Sequence, residues 1–368
     1  MSWILATDQI TRLQLEVTNY CNAGCPQCAR VNYLSKKFTE AETVYPRRIN
    51  SNHFDLDKYK QILHNDTWGS LKYIHFCGNY DEPTIHPQFI DMLEHTMAWL
   101  QQNKIKDLSV NVSTNGGARD SEFWQKIGEL SKKYQNIGCK LTVIWGIDGL
   151  QDTNHIYRIG VAWNKLMNNV QAYHKMGGIS CWQWIRFQHN EHQLSWAQQN
   201  YKQLGFESFY IIGTDRDVAQ KKNELLQQQE KIPSFSRKKI EAHIKNDIIN
   251  TTVAHTDQKN QSFSQIHCKA LDHHSTIKRS IYIDAQGHVM PCCWMGTDYS
   301  KHQAEQSFLG DATPDSHNIY QYDSVGECLK SPYFTQLIDS WQDKSYSICA
   351  TYCTAHKDPY TQSREFLQ

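Results

Sequence analysis

Residues 12–28 read RLQLEVTNYCNAGCPQC. Leu13, Leu15 and Val17 alternate with polar residues, the period of a half-buried strand. The chain then crowds Cys21, Cys25 and Cys28 onto the segment that follows. Further strand-like runs lie at 71–78, 108–115, 141–148, 181–188 and 209–214, and the segments 86–102, 121–135, 162–176 and 191–205 space their apolar residues by three and four, as helices do. Repeated strand–helix units imply an α/β fold with a parallel sheet and helices outside it. A polar, charged stretch at 216–265 reads as a helical linker between a first unit, 1–215, and a smaller one, 266–368. The latter contains one clear hairpin, SIYIDAQGHVMPCCW, with a turn at Asp284–Gly287.

The length of 368 residues suits one large α/β barrel with an appendix. Lys plus Arg and Asp plus Glu balance at 38 each, so no overall field draws the protein to nucleic acid or an anionic membrane surface. A nucleic-acid substrate is disfavoured. No stretch reaches the roughly 18 apolar residues of a spanning helix, and MSWILATDQITRLQ has no secretory pattern. The expectation is a soluble, cytoplasmic protein without a membrane partner. Cytoplasmic thiols stay reduced, so metal ligation is the leading use for the clustered members of the twelve cysteines. Cys77, Cys139 and Cys181 read as small buried hydrophobes. Trp163, Trp182, Trp184 and Trp196 read as core, and His273 with His274 as a solvated loop.

In parallel α/β barrels the loops after the strands form the active face. Here the first strand runs into three cysteines, the second into GNYDEP (78–83), the third into STNGG (113–117) and the fourth into GIDGLQDTNHIYR (146–158). Three thiolates spaced C-x3-C-x2-C can ligate three irons of a 4Fe-4S cube and leave the fourth iron open, whereas an electron carrier normally supplies four cysteines.

This order of motifs resembles the radical S-adenosylmethionine (radical SAM) superfamily over roughly residues 10–215. The resemblance implies a partial (β/α)6 barrel and a 4Fe-4S cluster on Cys21, Cys25 and Cys28. Its open iron would chelate S-adenosylmethionine, which is cleaved to a radical that abstracts hydrogen. Glu82 aligns with a position that holds the methionine ammonium, with Tyr80 and Asp81 in place of the usual glycines and Gly78 supplying flexibility. Ser113 and Asn115 match contacts to the ribose or the methionyl group, and Arg158 would pair with the methionyl carboxylate. Gly146 stands where relatives often carry serine, and Gln27 where an aromatic residue often packs near adenine. Plainer readings stand beside these: Glu82 capping the helix near His86, Ser113 and Asn115 as turn residues, Arg158 in a surface ion pair. Residues 188–191 either line the substrate cavity or start the next helix.

The C-terminal pattern resembles the SPASM and twitch extensions of that superfamily, a hairpin plus a short helix holding auxiliary clusters. A one-cluster twitch-like module fits, with Cys268, Cys292, Cys349 and Cys353 as ligands of an auxiliary 4Fe-4S cluster, Cys293 as the alternative to Cys292, and Cys328 structural. The implied partners are S-adenosylmethionine, a peptide or small-molecule substrate, and an electron donor such as flavodoxin or ferredoxin. The alternative class is a non-catalytic iron–sulfur electron-transfer or sensor protein on the same barrel. Substrate, net reaction and any general base do not follow from the sequence.

Overall fold

The computed structural model describes residues 6–26, 28, 52–213, 268, 270, 279–297, 316–343, 349, 353 and 364–367. The expected linker, His273 and His274, and Gln27 lie outside these.

Six parallel strands follow one another in chain order across a single sheet: β1 (Arg12–Leu15), β2 (Tyr73–Phe76), β3 (Ser109–Thr114), β4 (Lys140–Gly146), β5 (Ile179–Ile185) and β6 (Ser208–Ile212). Each pairs in parallel with the next, from Leu13↔Ile74 to Trp182↔Phe209. Among the described residues β6 does not return to β1, so the barrel is open. The connecting helices are α1 (Leu56–Asn65), α2 (Phe89–Gln102), α3 (Ser121–Asn136), α4 (Trp163–Lys175) and α5 (Glu191–Asn200).

The outer face of the sheet carries Leu13, Leu15, Ile74, Phe76, Val110, Val112, Leu141, Val143, Trp145, Trp182, Trp184 and Phe209, all buried. Trp145 packs between Trp124 of α3 and Tyr173 of α4, with ring centroids at 4.4 and 5.9 Å. Such aromatic contacts contribute about 0.5–1.5 kcal/mol each beyond their area. The opposite, inner face carries Gln14, His75, Cys77, Asn111, Ser113, Thr142, Gln183 and Tyr210, all only half-buried. Alternation along each strand thus separates an apolar packing side from a polar cavity side. Trp182 and Trp184 are core as expected, whereas Trp196 on α5 is 46% exposed, because the buried side of that helix is set by Gln193 and Ala197.

Helix α1 is absent from the periodicity reading, yet its signals are present. Asp55 accepts the Lys58 N–H at 2.7 Å as an N-cap, and Leu56, Tyr59, Ile62 and Leu63 make the buried stripe. The C-terminal hairpin, β7 (Ser280–Ile283) and β8 (Val289–Met290), forms where expected, with Gly287 at φ +91°. It is not a separate layer: β7 pairs in parallel with β1 and continues the barrel sheet. A short helix, α6 (Cys293–Thr297), follows it, and a longer one, α7 (Pro332–Asp343), comes later. Segment 318–328 lies along α1, where Lys58 Nζ donates to the Tyr322 carbonyl at 3.1 Å and Asp66 accepts the Val325 and Gly326 N–H groups at 2.7 and 2.8 Å. A last strand, β9 (Arg364–Leu367), covers β6 in antiparallel fashion.

Candidate functional site

The ends of β1–β4 converge around the cysteine loop. Glu82, 2% exposed, accepts from the hydroxyls of Thr84 (2.6 Å) and Thr114 (2.7 Å) and from the Asn115 N–H (2.7 Å). Burial raises its pKa, against the pull of these donors. The carboxylate is therefore committed to the protein's own donors. It fastens the end of β3 to the loop after β2. Glu82 stands at the N-cap position of the turn Pro83–Ile85 and accepts from Thr84 within it.

Fastened this way, Asn115 turns its carboxamide to the cysteine loop. Its Nδ2 lies 3.6 Å from Cys21 Sγ and donates to Asn22 Oδ1 at 2.9 Å, while its Oδ1 accepts the Gly117 N–H at 2.8 Å. Ser113 does not join it. Two residues earlier, within β3, it faces the inner wall and hydrogen-bonds His75 Nε2 at 2.9 Å.

Arg158 is not on the surface. Its Nε donates to Asp148 Oδ2 at 2.7 Å, with side-chain exposures of 15% and 0%, and its Nη1 lies 3.9 Å from Cys25 Sγ. Asp148 in turn accepts the Ile185 N–H at 2.6 Å. The absent serine at 146 has a steric reason: a Cβ on Gly146 would stand 2.5 Å from Arg158 Nη2. Gly78 likewise serves space rather than flexibility, since a Cβ there would collide with the Glu16 side chain and its φ is not positive.

Tyr80 and Asp81 lie behind this rim. Glu16, 1% exposed at the end of β1, accepts from the N–H groups of Asn79 (2.6 Å) and Tyr80 (3.2 Å) and from the Tyr282 hydroxyl (2.6 Å). Asp81 accepts the Gly78 N–H at 2.7 Å, and burial followed by the neighbouring Glu16 pushes its carboxyl well above the usual range. The sequence reading missed Glu16, Asn22 and Thr114; a glutamate closing an apolar strand was the available signal for the first.

Burial pushes the Cys25 thiol up to about 11 against the lowering influence of Arg158, and pushes Cys21 up more strongly. Each sulfur also feels Cys28. Three soft donors, with N–H groups of Ala23 (3.4 Å), Asn115 and Arg158 turned toward them, are the donor set and outer shell that iron–sulfur ligation uses. Among the described residues no three His, Cys, Asp or Glu side chains are arranged to hold a metal ion.

A second set gathers at the C-terminal end. Burial pushes the Cys349 thiol well up, and Cys268, Cys292 and Cys353 raise it further. Cys353 donates its N–H to the Cys349 carbonyl at 2.8 Å, one helical turn on. Cys293 faces elsewhere. Its thiol, pushed up to about 12, is raised by burial, Cys292 and Cys77, and hydrogen-bonds Gln14 of the inner wall. Cys77 is thus a half-buried inner-wall group and not a core filler, while Cys139, Cys181 and Cys328 are buried. At the end of β5, Asn190 ties the turn, donating to the Asp148 and Ile185 carbonyls at 2.9 Å each.

No protein-family model matches the chain. The tungsten-containing aldehyde ferredoxin oxidoreductase cofactor-modifying protein of Pyrococcus furiosus is 28% identical over 119 residues, 32% of this chain and 27% of that relative. Among solved structures, SuiB of Streptococcus suis bound to precursor peptide SuiA aligns with a TM-score of 0.51 at 12% identity, covering 90% of this chain and 68% of SuiB. Native anSMEcpe with bound AdoMet aligns with a TM-score of 0.44 at 12% identity, covering 92% of this chain and all, 100%, of that one. The likeness to SuiB places the chain in a class of open parallel α/β barrels. This likeness is one of fold, an α/β architecture with a parallel sheet, consistent with the partial barrel expected above. Among the described residues no helix is long and apolar enough to cross a membrane.

Proposed function

We propose that the protein is a radical SAM enzyme in which Cys21, Cys25 and Cys28 hold a 4Fe-4S cluster and an auxiliary 4Fe-4S cluster sits on Cys268, Cys292, Cys349 and Cys353. The observation that carries the reading is the convergence of two other strand ends on the cysteine loop, through Asn115 and Arg158. An electron carrier has no use for such groups. When bound, the first cluster would deliver an electron to S-adenosylmethionine, giving methionine and a 5′-deoxyadenosyl radical able to take hydrogen from a substrate.

The protein's own residues have separable tasks. Asn115 presents its carboxamide beside Cys21, within reach of a cofactor seated on the loop. Arg158 is aimed by Asp148, leaving its outer nitrogens for the cofactor carboxylate. Glu82 is a positioning residue that holds Asn115. Tyr80 and Asp81 shape the loop from behind. Ser113 is reassigned from cofactor contact to the substrate side. The inner wall presents Gln14, His75, Asn111, Ser113, Gln183 and Tyr210, side chains that hydrogen-bond without a formal charge. Such a wall suits a neutral hydrogen-bonding substrate such as a peptide segment, the kind of ligand bound to SuiB. The auxiliary cluster would serve as electron acceptor or scaffold, and a flavodoxin or ferredoxin would supply electrons.

The test is anaerobic reconstitution with iron and sulfide. Two clusters give about eight irons per chain, and adding dithionite with S-adenosylmethionine should yield 5′-deoxyadenosine even without substrate. A protein that binds iron but never cleaves the cofactor would favour the carrier reading.

A further inference from the structure

We propose that Asn79 is the bridge coupling the two cysteine sites, a positioning residue whose main chain meets the first and whose carboxamide holds the loop of the second. The inference rests on the two-cluster reading above.

Asn79 follows β2 and is half-buried between the sites. On one side its carbonyl oxygen lies 3.9 Å from Cys28 Sγ. On the other its Nδ2 donates to the Cys293 carbonyl at 2.8 Å and to the Tyr282 hydroxyl at 3.3 Å. Cys293 is covalently next to Cys292, whose sulfur belongs to the C-terminal set. The path from Cys28 to Cys292 therefore comprises one contact, the body of Asn79, one hydrogen bond and a stretch of backbone.

Asn79 is also fixed in place. Its N–H and the Tyr282 hydroxyl both donate to Glu16 Oε2 at 2.6 Å, closing a ring that joins β1, the loop after β2, and β7. Helix α6 seats on it because position 296 has no side chain: a Cβ on Gly296 would stand 3.0 Å from Asn79 Nδ2 and 2.6 Å from the Tyr282 ring. The carboxamide suits this place, since two acceptors face one NH2 group, and a carboxylate there would oppose both the Cys293 carbonyl and Glu16. Gln14 also reaches Cys293, but it leads to Cys77, which lies outside both sets.

The experiment uses the full chain reconstituted with both clusters, in wild-type, Asn79→Ala and Asn79→Ser forms. Iron and sulfide are counted, one electron per chain is injected by flash photoreduction, and its redistribution between the clusters is followed by freeze-quench electron paramagnetic resonance. We expect unchanged iron, redistribution slower by about tenfold in Asn79→Ala, and weaker spin–spin interaction in the doubly reduced protein. Loss of only the C-terminal iron in both variants also supports the bridge, as the second site then depends on the carboxamide. Full iron with wild-type redistribution and spin coupling in both variants overturns it. A wild-type protein that holds about four irons overturns the two-cluster reading itself, and with it the bridge.

Discussion

Cys21, Cys25 and Cys28 arrive on one loop with Asn115 and Arg158 turned toward their sulfurs. Cys268, Cys292 and the pair Cys349 and Cys353 arrive on three separate stretches, with Cys268 and Cys349 nearly inaccessible at 5% and 3% exposure. The first set has three thiols and a polar rim. The second has four thiols, and burial, followed by the neighbouring Cys268, Cys292 and Cys353, raises the pKa of the Cys349 thiol. On the proposed reading the first site would be short of one ligand and flanked by groups that could hydrogen-bond a visiting molecule, whereas the second would complete a cube with its own four thiols. One chemistry, sulfur on iron, is on that reading set to two tasks by the neighbouring side chains.

Removing ligands should break the comparison most sharply. Cys21→Ala, Cys25→Ala, Cys28→Ala should remove about half the iron and all 5′-deoxyadenosine formation. Cys349→Ala, Cys353→Ala should remove the other half, spare uncoupled cleavage and abolish turnover of the true substrate. Equal effects on cleavage, read by chromatography, would erase the distinction.

Arg158→Ala comes next. It strands Asp148, fully buried, without its counter-ion, a loss of about 3–5 kcal/mol in stability by denaturant unfolding, and S-adenosylmethionine binding should weaken with it. Gly146→Ala is the gentler companion. The added Cβ pushes against Nη2, so cofactor affinity should drop while the Asp148 pair and most stability survive. Affinity unchanged in both variants would remove Arg158 from the cofactor site.

Glu82→Gln should cost about 1–3 kcal/mol, because the new amide NH2 opposes one of the donors that now meet the carboxylate. The rim should loosen and uncoupled cleavage should fall without iron loss. Iron loss alone would place Glu82 in cluster assembly.

The smallest effect is on pH dependence. Burial holds His86 and His189 down at about 4, from an ordinary 6.5. Both are neutral when folded and protonate more readily when unfolded, so their contribution is whole above pH 6.5 and is lost as pH falls toward 4. Thermal melts of His86→Gln, His189→Gln protein across that window should slope less than wild type. An equal slope would assign the fall to carboxyl groups.

Much of the barrel was legible because its strands are short apolar alternations and its helices carry clear stripes. Each expected strand lies within about two residues of its place at the N-terminal end. Helix α1 was missed although its Asp55 cap and stripe are ordinary, since the stripe is short and its polar residues dominate. The cysteine loop and the polar strand ends were legible as residue types. Their partners were not: Glu82 turned inward to Thr84, Thr114 and Asn115, Arg158 locked by Asp148 ten residues earlier, and Ser113 facing His75. Each depends on which side of a strand end meets which neighbour, and a single residue of offset reverses that. The choice between Cys292 and Cys293 was open for the same reason. Adjacent positions point apart, and only the packed hairpin shows that one turns to Cys349 and the other to Gln14 and Cys77.

The central claim, an open three-thiol site and a closed four-thiol site, is tested most directly by electron paramagnetic resonance of the reduced protein with and without S-adenosylmethionine, in the two cysteine-set variants. The account predicts that the cofactor changes the spectrum of Cys349→Ala, Cys353→Ala protein, which keeps the first cluster, and leaves that of Cys21→Ala, Cys25→Ala, Cys28→Ala protein untouched. A change confined to the latter, or present in both, would contradict it.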